Sequence, residues 1–122
     1  MDYREDLSGY VKVGNLVAVL EGQPLVIVHD TYRIAIYFDG KNYHAIEDIC
    51  PHMGTFISNG YQEGTTVVCP WHNWEFDLGD GKCKKPLNDS FVRVFPLKIV
   101  GESFYLPNKL SEENEGEFED WV

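Results

Sequence analysis

Cysteine is scarce in this chain: three residues in 122. An odd count that small cannot build the disulfide framework that staples small exported domains. Long apolar stretches are missing too. The local run Leu16 to Leu20 is far shorter than a membrane span, and Glu21 breaks it at once. The first residues carry Asp2, Arg4, Glu5 and Asp6, with no apolar segment of the kind a secretory leader needs. The expectation is a cytoplasmic protein, neither exported nor anchored in a membrane. Bases are few, with 10 Lys and Arg against 20 Asp and Glu and a formal charge of −10. Nucleic acid is a poor partner for such a chain, because phosphate contacts need Lys and Arg. A basic patch on a protein partner is a better one. No internal repeat and no long helical period is found.

Of three Cys and four His, two of each fall in two short segments. Cys50-Pro51-His52 is followed, after sixteen residues, by Cys69-Pro70-Trp71-His72. Each segment offers one thiolate and one imidazole, close enough in sequence to stand on the same side of a tight turn. Each Cys is followed by a Pro, which lacks an N–H and has a fixed φ, and so stiffens the turn. Two sulfur and two nitrogen donors suit two metal centres. One is a tetrahedral zinc ion. The other is a [2Fe–2S] cluster with two Cys on one iron and two His on the other. Structural zinc sites usually pair Cys with Cys and His with His along the chain, whereas both segments here are mixed, which favours the cluster.

The residues around the second segment, Trp71-His72-Asn73-Trp74-Glu75-Phe76-Asp77-Leu78, resemble the CPWHGWxFD stretch of soluble Rieske iron–sulfur domains. Gly79-Asp80-Gly81-Lys82 is similar to the turn that follows it, and His44 to Cys50 resembles the strand that leads into the first segment. The likeness runs over about residues 10 to 107. It implies one [2Fe–2S] cluster per chain, with Cys50 and Cys69 on the inner iron and His52 and His72 on the outer. It further implies a one-electron carrier rather than an enzyme, with no catalytic residue. Its partners would be a flavin reductase and a terminal oxygenase. The alternative is a small Rieske-like subunit of an assimilatory nitrite reductase, partnered by its large subunit. Members from membrane cytochrome complexes carry two further Cys in these loops that form a disulfide. Those positions hold Thr55 and Trp71 here, and Cys83 is the one spare thiol, read as a partly buried small hydrophobe. The family usually has Gly at the position of Asn73, and Asn is the next most tolerant of positive φ. High-potential members also direct a Ser hydroxyl at the cluster from the position that holds Trp74, so a potential near the low end, about −150 mV, is expected.

The remaining chain reads as all-β. Val11 to Val13, Leu25 to Val28, Ile34 to Phe38, Tyr43 to Ile46, Thr66 to Val68, Phe91 to Val100 and Ser103 to Leu106 are short β-branched or aromatic runs, separated by Gly, Asp, Asn and Pro. Asp39-Gly40 predicts a type I′ hairpin, and Gly101 a second turn. These runs fit a small antiparallel sandwich or partial barrel. By resemblance this is a base domain, within residues 1–110, that carries an inserted cluster-binding subdomain at about 46–85. His29 and His44 have no ligand spacing and read as ordinary strand residues. Trp71, Trp74 and Phe76 read as packing and shielding residues. Residues 111–122 hold six acids and no base, over half of the net charge. They read as a solvated, disordered tail, or as a docking arm anchored by Phe118 and Trp121.

Overall fold

The structure, a computed structural model, describes residues 7–52 and 54–110. In chain order the strands are β1 (Tyr10–Asn15), β2 (Leu25–His29), β3 (Tyr32–Phe38), β4 (Tyr43–Glu47), β5 (Tyr61–Glu63), β6 (Thr66–Val68), β7 (Glu75–Asp77), β8 (Cys83–Lys85), β9 (Val94–Phe95), β10 (Lys98–Val100) and β11 (Ser103–Pro107). Two single 3₁₀ turns, Leu16–Ala18 and Ile57–Asn59, interrupt them. The all-β expectation holds. Among the described residues no helix is long and apolar enough to cross a membrane.

The strands form three antiparallel sheets, in the orders β1-β11-β10, β2-β3-β4-β9 and β5-β6-β7-β8. The middle sheet explains how they stack. In β3, Ile34, Ala35, Ile36 and Tyr37 are all buried, so both faces of the strand are covered. Such a strand reads as a continuous apolar run rather than as an alternation. Ile34 and Ile36 join Ala45, Phe95, Phe104, Leu106 and Leu110 in one core, towards the β1-β11-β10 sheet. Ala35 and Tyr37 point the other way, into a second core with Ile46, Val67, Phe76 and Leu78 from the β5-β6-β7-β8 sheet. Cys50 and Cys69 belong to this second core.

Three local readings are corrected. The Phe91 to Val100 run is not one strand, because Pro96 ends β9 and the chain changes sheets before β10. Asp39-Gly40 is not a two-residue turn. The loop spans four residues, and the Asp39 carboxylate accepts from the N–H groups of Lys41 and Asn42 at 2.8 and 2.7 Å. The two-residue turn with positive φ lies instead at Asp30 and Thr31 (φ 50° and 69°), between the paired His29 and Tyr32. The turn at Gly101 is found as expected, with Val100 opposite Ser103. The acidic residues 111–122 lie outside the described residues.

Candidate metal centre

The two Cys–His segments form matching loops. Cys50 N–H donates to the carbonyl of Thr55 at 2.8 Å, and Cys69 N–H donates to that of Trp74 at 2.7 Å. In both, a bond from the Cys to the residue five positions on closes the loop. The second loop closes only because His72 and Asn73 adopt the left-handed conformation, φ 64° and 58°. Asn73 thus does what Gly usually does at its position, as its tolerance of positive φ allows. His72 shares that conformation, which His adopts more readily than most residues. The loops are brought together at Gly60, where a Cβ would stand 1.8 Å from the carbonyl oxygen of Val68. Only a residue without a side chain permits that approach.

The first loop is pinned from below. Asp48 is fully buried, two residues before Cys50. Its carboxylate accepts from Arg33 Nε at 2.9 Å, from Ser58 N–H at 2.7 Å and from Ser58 Oγ at 2.6 Å. The Arg33 guanidinium lies 3.8 Å over the ring of Phe56. Burial first, and the Asp48 charge second, hold the Tyr37 phenol well above its usual range. None of this network is signalled by local sequence.

The four candidate ligands fall into two pairs. Cys50 and Cys69 are fully buried, and their thiols are in hydrogen-bonding contact. Burial, and then that contact, push the Cys69 thiol up to about 11, against a hydrogen bond from the backbone N–H of Trp71. His52 and His72 stand with ring centroids 5.2 Å apart. His52 is half-buried and its Nδ1 is buried with no hydrogen-bond partner, while His72 is exposed. Trp74 lies flat against His52, at 4.0 Å and 6°. Among the described residues no three His, Cys, Asp or Glu side chains gather as around a single ion.

This donor set fits a binuclear centre. Two thiols sealed in a core are poor thiolates alone, and a metal's positive charge removes that penalty, since a coordinating thiol is deprotonated outright. The orphaned Nδ1 of His52 is a buried polar atom that needs a partner. An electron-pair acceptor supplies one, because neutral imidazole is a metal ligand through either nitrogen.

Cys83 sits in the same core, 3% exposed, and is more buried than expected. Its thiol faces the carbonyl of Pro86 at 3.2 Å, and burial raises its pKa. His29 and His44 are structural, as expected: His29 Nε2 bonds the carbonyl of Pro107 at 2.8 Å, and His44 Nε2 bonds Asp39 at 2.7 Å. Phe76 is a core residue. Trp71 departs from the shielding expectation: it is 53% exposed, beside the exposed His72.

A β scaffold that presents two buried thiols and two imidazoles from paired loops defines a class of iron–sulfur protein. The chain belongs to the Rieske [2Fe–2S] domain family, whose model matches residues 6–96. It carries one [2Fe–2S] cluster, and it is an electron carrier of the ferredoxin kind rather than a catalytic subunit. It is 32% identical over 96 residues to the anthranilate 1,2-dioxygenase ferredoxin subunit of Burkholderia cepacia, covering 77% of this chain and 87% of that one. The fold is shared with the ferredoxin of carbazole 1,9a-dioxygenase from Nocardioides aromaticivorans, with a TM-score of 0.75 and 22% identity over 82% of this chain and 98% of that one. It is shared less closely with a protein described as the small subunit of an NADH-dependent nitrite reductase from Mycobacterium tuberculosis, with a TM-score of 0.68 and 20% identity over 80% and 92% of the two chains.

Proposed function

We propose that this chain is the ferredoxin component of a cytoplasmic oxygenase system, with Cys50, His52, Cys69 and His72 as the four ligands of its cluster. It would take single electrons from a flavin reductase and pass them to a terminal oxygenase. The observation that supports this most strongly is the polarity of the site. Both thiols are sealed in the core, while the imidazole of His72 stands in solvent. When bound, the cluster supplies a one-electron couple in the range of about −150 to +300 mV. The protein's own share is to hold the ligands with little reorganisation and to present one ligand edge to a partner. Asp48, Gly60 and the two loop-closing bonds do the first, and the exposed tip does the second. The same reading puts the cluster-binding part at about residues 46–85 and the end of the domain near residue 110. A carrier must meet two partners in turn, so each contact at the tip is small and transient.

The reading is tested by rapid mixing of the loaded protein with a flavin reductase and NADH, then with a terminal oxygenase, its substrate and oxygen. Reduction by the first and reoxidation by the second at catalytically competent rates are expected. A protein that exchanges electrons only with a sirohaem nitrite reductase would belong to the alternative system instead.

A further inference from the structure

The two imidazoles of the site do not have the same surroundings. Trp74 lies parallel to His52, with centroids 4.0 Å apart and planes 6° apart. His72 meets its aromatic neighbours obliquely: His52 at 58° and Trp71 at 68°, with the latter centroid 6.3 Å away. Exposure follows the same division, His52 being half-buried and His72 exposed. The backbone explains how the stack is held. The Trp74 carbonyl accepts from Cys69 N–H, which ties residue 74 to the second loop. Its side chain packs against the core that contains both thiols and reaches the imidazole of the first loop. One residue therefore joins the backbone of Cys69 in one loop to the imidazole of the other.

We infer that Trp74 is a positioning residue: it fixes the plane of the His52 imidazole and keeps water off one face of it, which makes the two histidine ligands inequivalent. This rests on the reading that His52 and His72 are ligands. The neighbours of a metal-bound imidazole set its orientation, and the apolar shell sets solvent access and with it the potential. For His52 a ring face takes that part.

The test uses the full chain loaded with its cluster and labelled with ¹⁵N-histidine, as the parent and as Trp74→Phe and Trp74→Leu. Pulsed EPR of the reduced protein reads the two imidazole nitrogens. The parent and Trp74→Phe should show the same two unequal couplings. Trp74→Leu should shift one coupling and leave the other in place. Its midpoint potential should rise, because water at the freed face favours the more negative, reduced state. Unchanged couplings and midpoint in Trp74→Leu would overturn the proposal, as would a Trp74→Phe shifted as far as Trp74→Leu. If Trp74→Leu takes up no iron, Trp74→Phe decides alone: parental couplings sustain the proposal and altered ones refute it. A parent that binds no iron or sulfide refutes the ligand reading itself, and the proposal with it.

Discussion

Replacing Asp48 by Ala should loosen the first loop without touching a ligand, by an amount that its contacts set. The carboxylate is fully buried and holds Arg33 Nε, Ser58 N–H and Ser58 Oγ at 2.9, 2.7 and 2.6 Å. It thereby joins β3, the residues before Cys50 and the 3₁₀ turn that follows the loop. Ala strands the Ser58 N–H, at about 1–3 kcal/mol for a buried donor. Removing one partner of a fully buried ion pair costs about 3–5 kcal/mol. The Arg33 side chain is 34% exposed, so water takes over much of its solvation and the larger figure does not apply in full. The two losses together come to about 3 kcal/mol. With a guanidinium slope of about 4 kcal/mol per molar, the unfolding midpoint falls by about 0.75 M. Asp48→Asn keeps an acceptor for Ser58 N–H but turns an NH₂ towards Arg33, and should lose about half as much. The assay is guanidinium unfolding of the loaded protein followed by its visible absorbance. A midpoint for Asp48→Ala within about 0.2 M of the parent would refute the view that this network holds the loop.

Gly60→Ala forces a Cβ to within 1.8 Å of the Val68 carbonyl oxygen, so the two loops must separate; the purified variant should hold little iron by colorimetric assay, whereas Gly64→Ala, which meets open space and bears only the strain of its positive φ (59°), about 1 kcal/mol, should still load. Asp39 is held down to about 2 from the usual 3.8 by the Asn42 N–H first and then by His44. A depressed carboxyl contributes stability above its unfolded value and loses it as pH falls through the folded one, so that contribution should fade between about pH 4 and 2. A ¹³C titration of the Asp39 carboxyl should give a midpoint near 2, and one near 3.8 would contradict the loop geometry. Deleting residues 111–122 should leave the spectrum unchanged but slow electron transfer to a basic partner at low salt; the difference should vanish above about 0.15 M, where the screening length is about 8 Å. Equal rates at low salt would make the segment a mere solvated end, and loss of the cluster would misplace the domain boundary.

The candidate site was legible because ligand chemistry fixes residue identity. Two Cys and two His in mixed pairs leave few alternatives, and Asn73 was marked by its tolerance of the backbone it now adopts. The run Ile34 to Phe38 was legible as a strand, but that both of its faces are covered emerged only from the stacking of the sheets. Other parts carried no local signal. β5, β7 and β8 are three residues each and exist because they pair within the β5-β6-β7-β8 sheet, not because Glu63, Glu75 or Lys84 prefers a strand. The turn at Asp30 and Thr31 puts a β-branched residue at positive φ, which turn statistics disfavour, while Asp39-Gly40 had the expected dipeptide in a longer loop. The Asp48–Arg33–Ser58 network and the Trp74–His52 stack join residues 10 to 22 positions apart, across loops, and no periodicity encodes either. The split of the run at Pro96 could have been read, since Pro interrupts a strand ladder.

The central claim is that two thiolates and two imidazoles of this chain hold a binuclear iron centre. Metal analysis together with EPR on one preparation tests it most directly. The account predicts a red-brown protein with about two iron and two sulfide per chain and a rhombic signal after dithionite. Cys69→Ala and His72→Ala should both abolish that signal, since ligand binding and local folding are coupled. A colourless protein that holds one zinc per chain, or a signal that survives loss of His72, would contradict it.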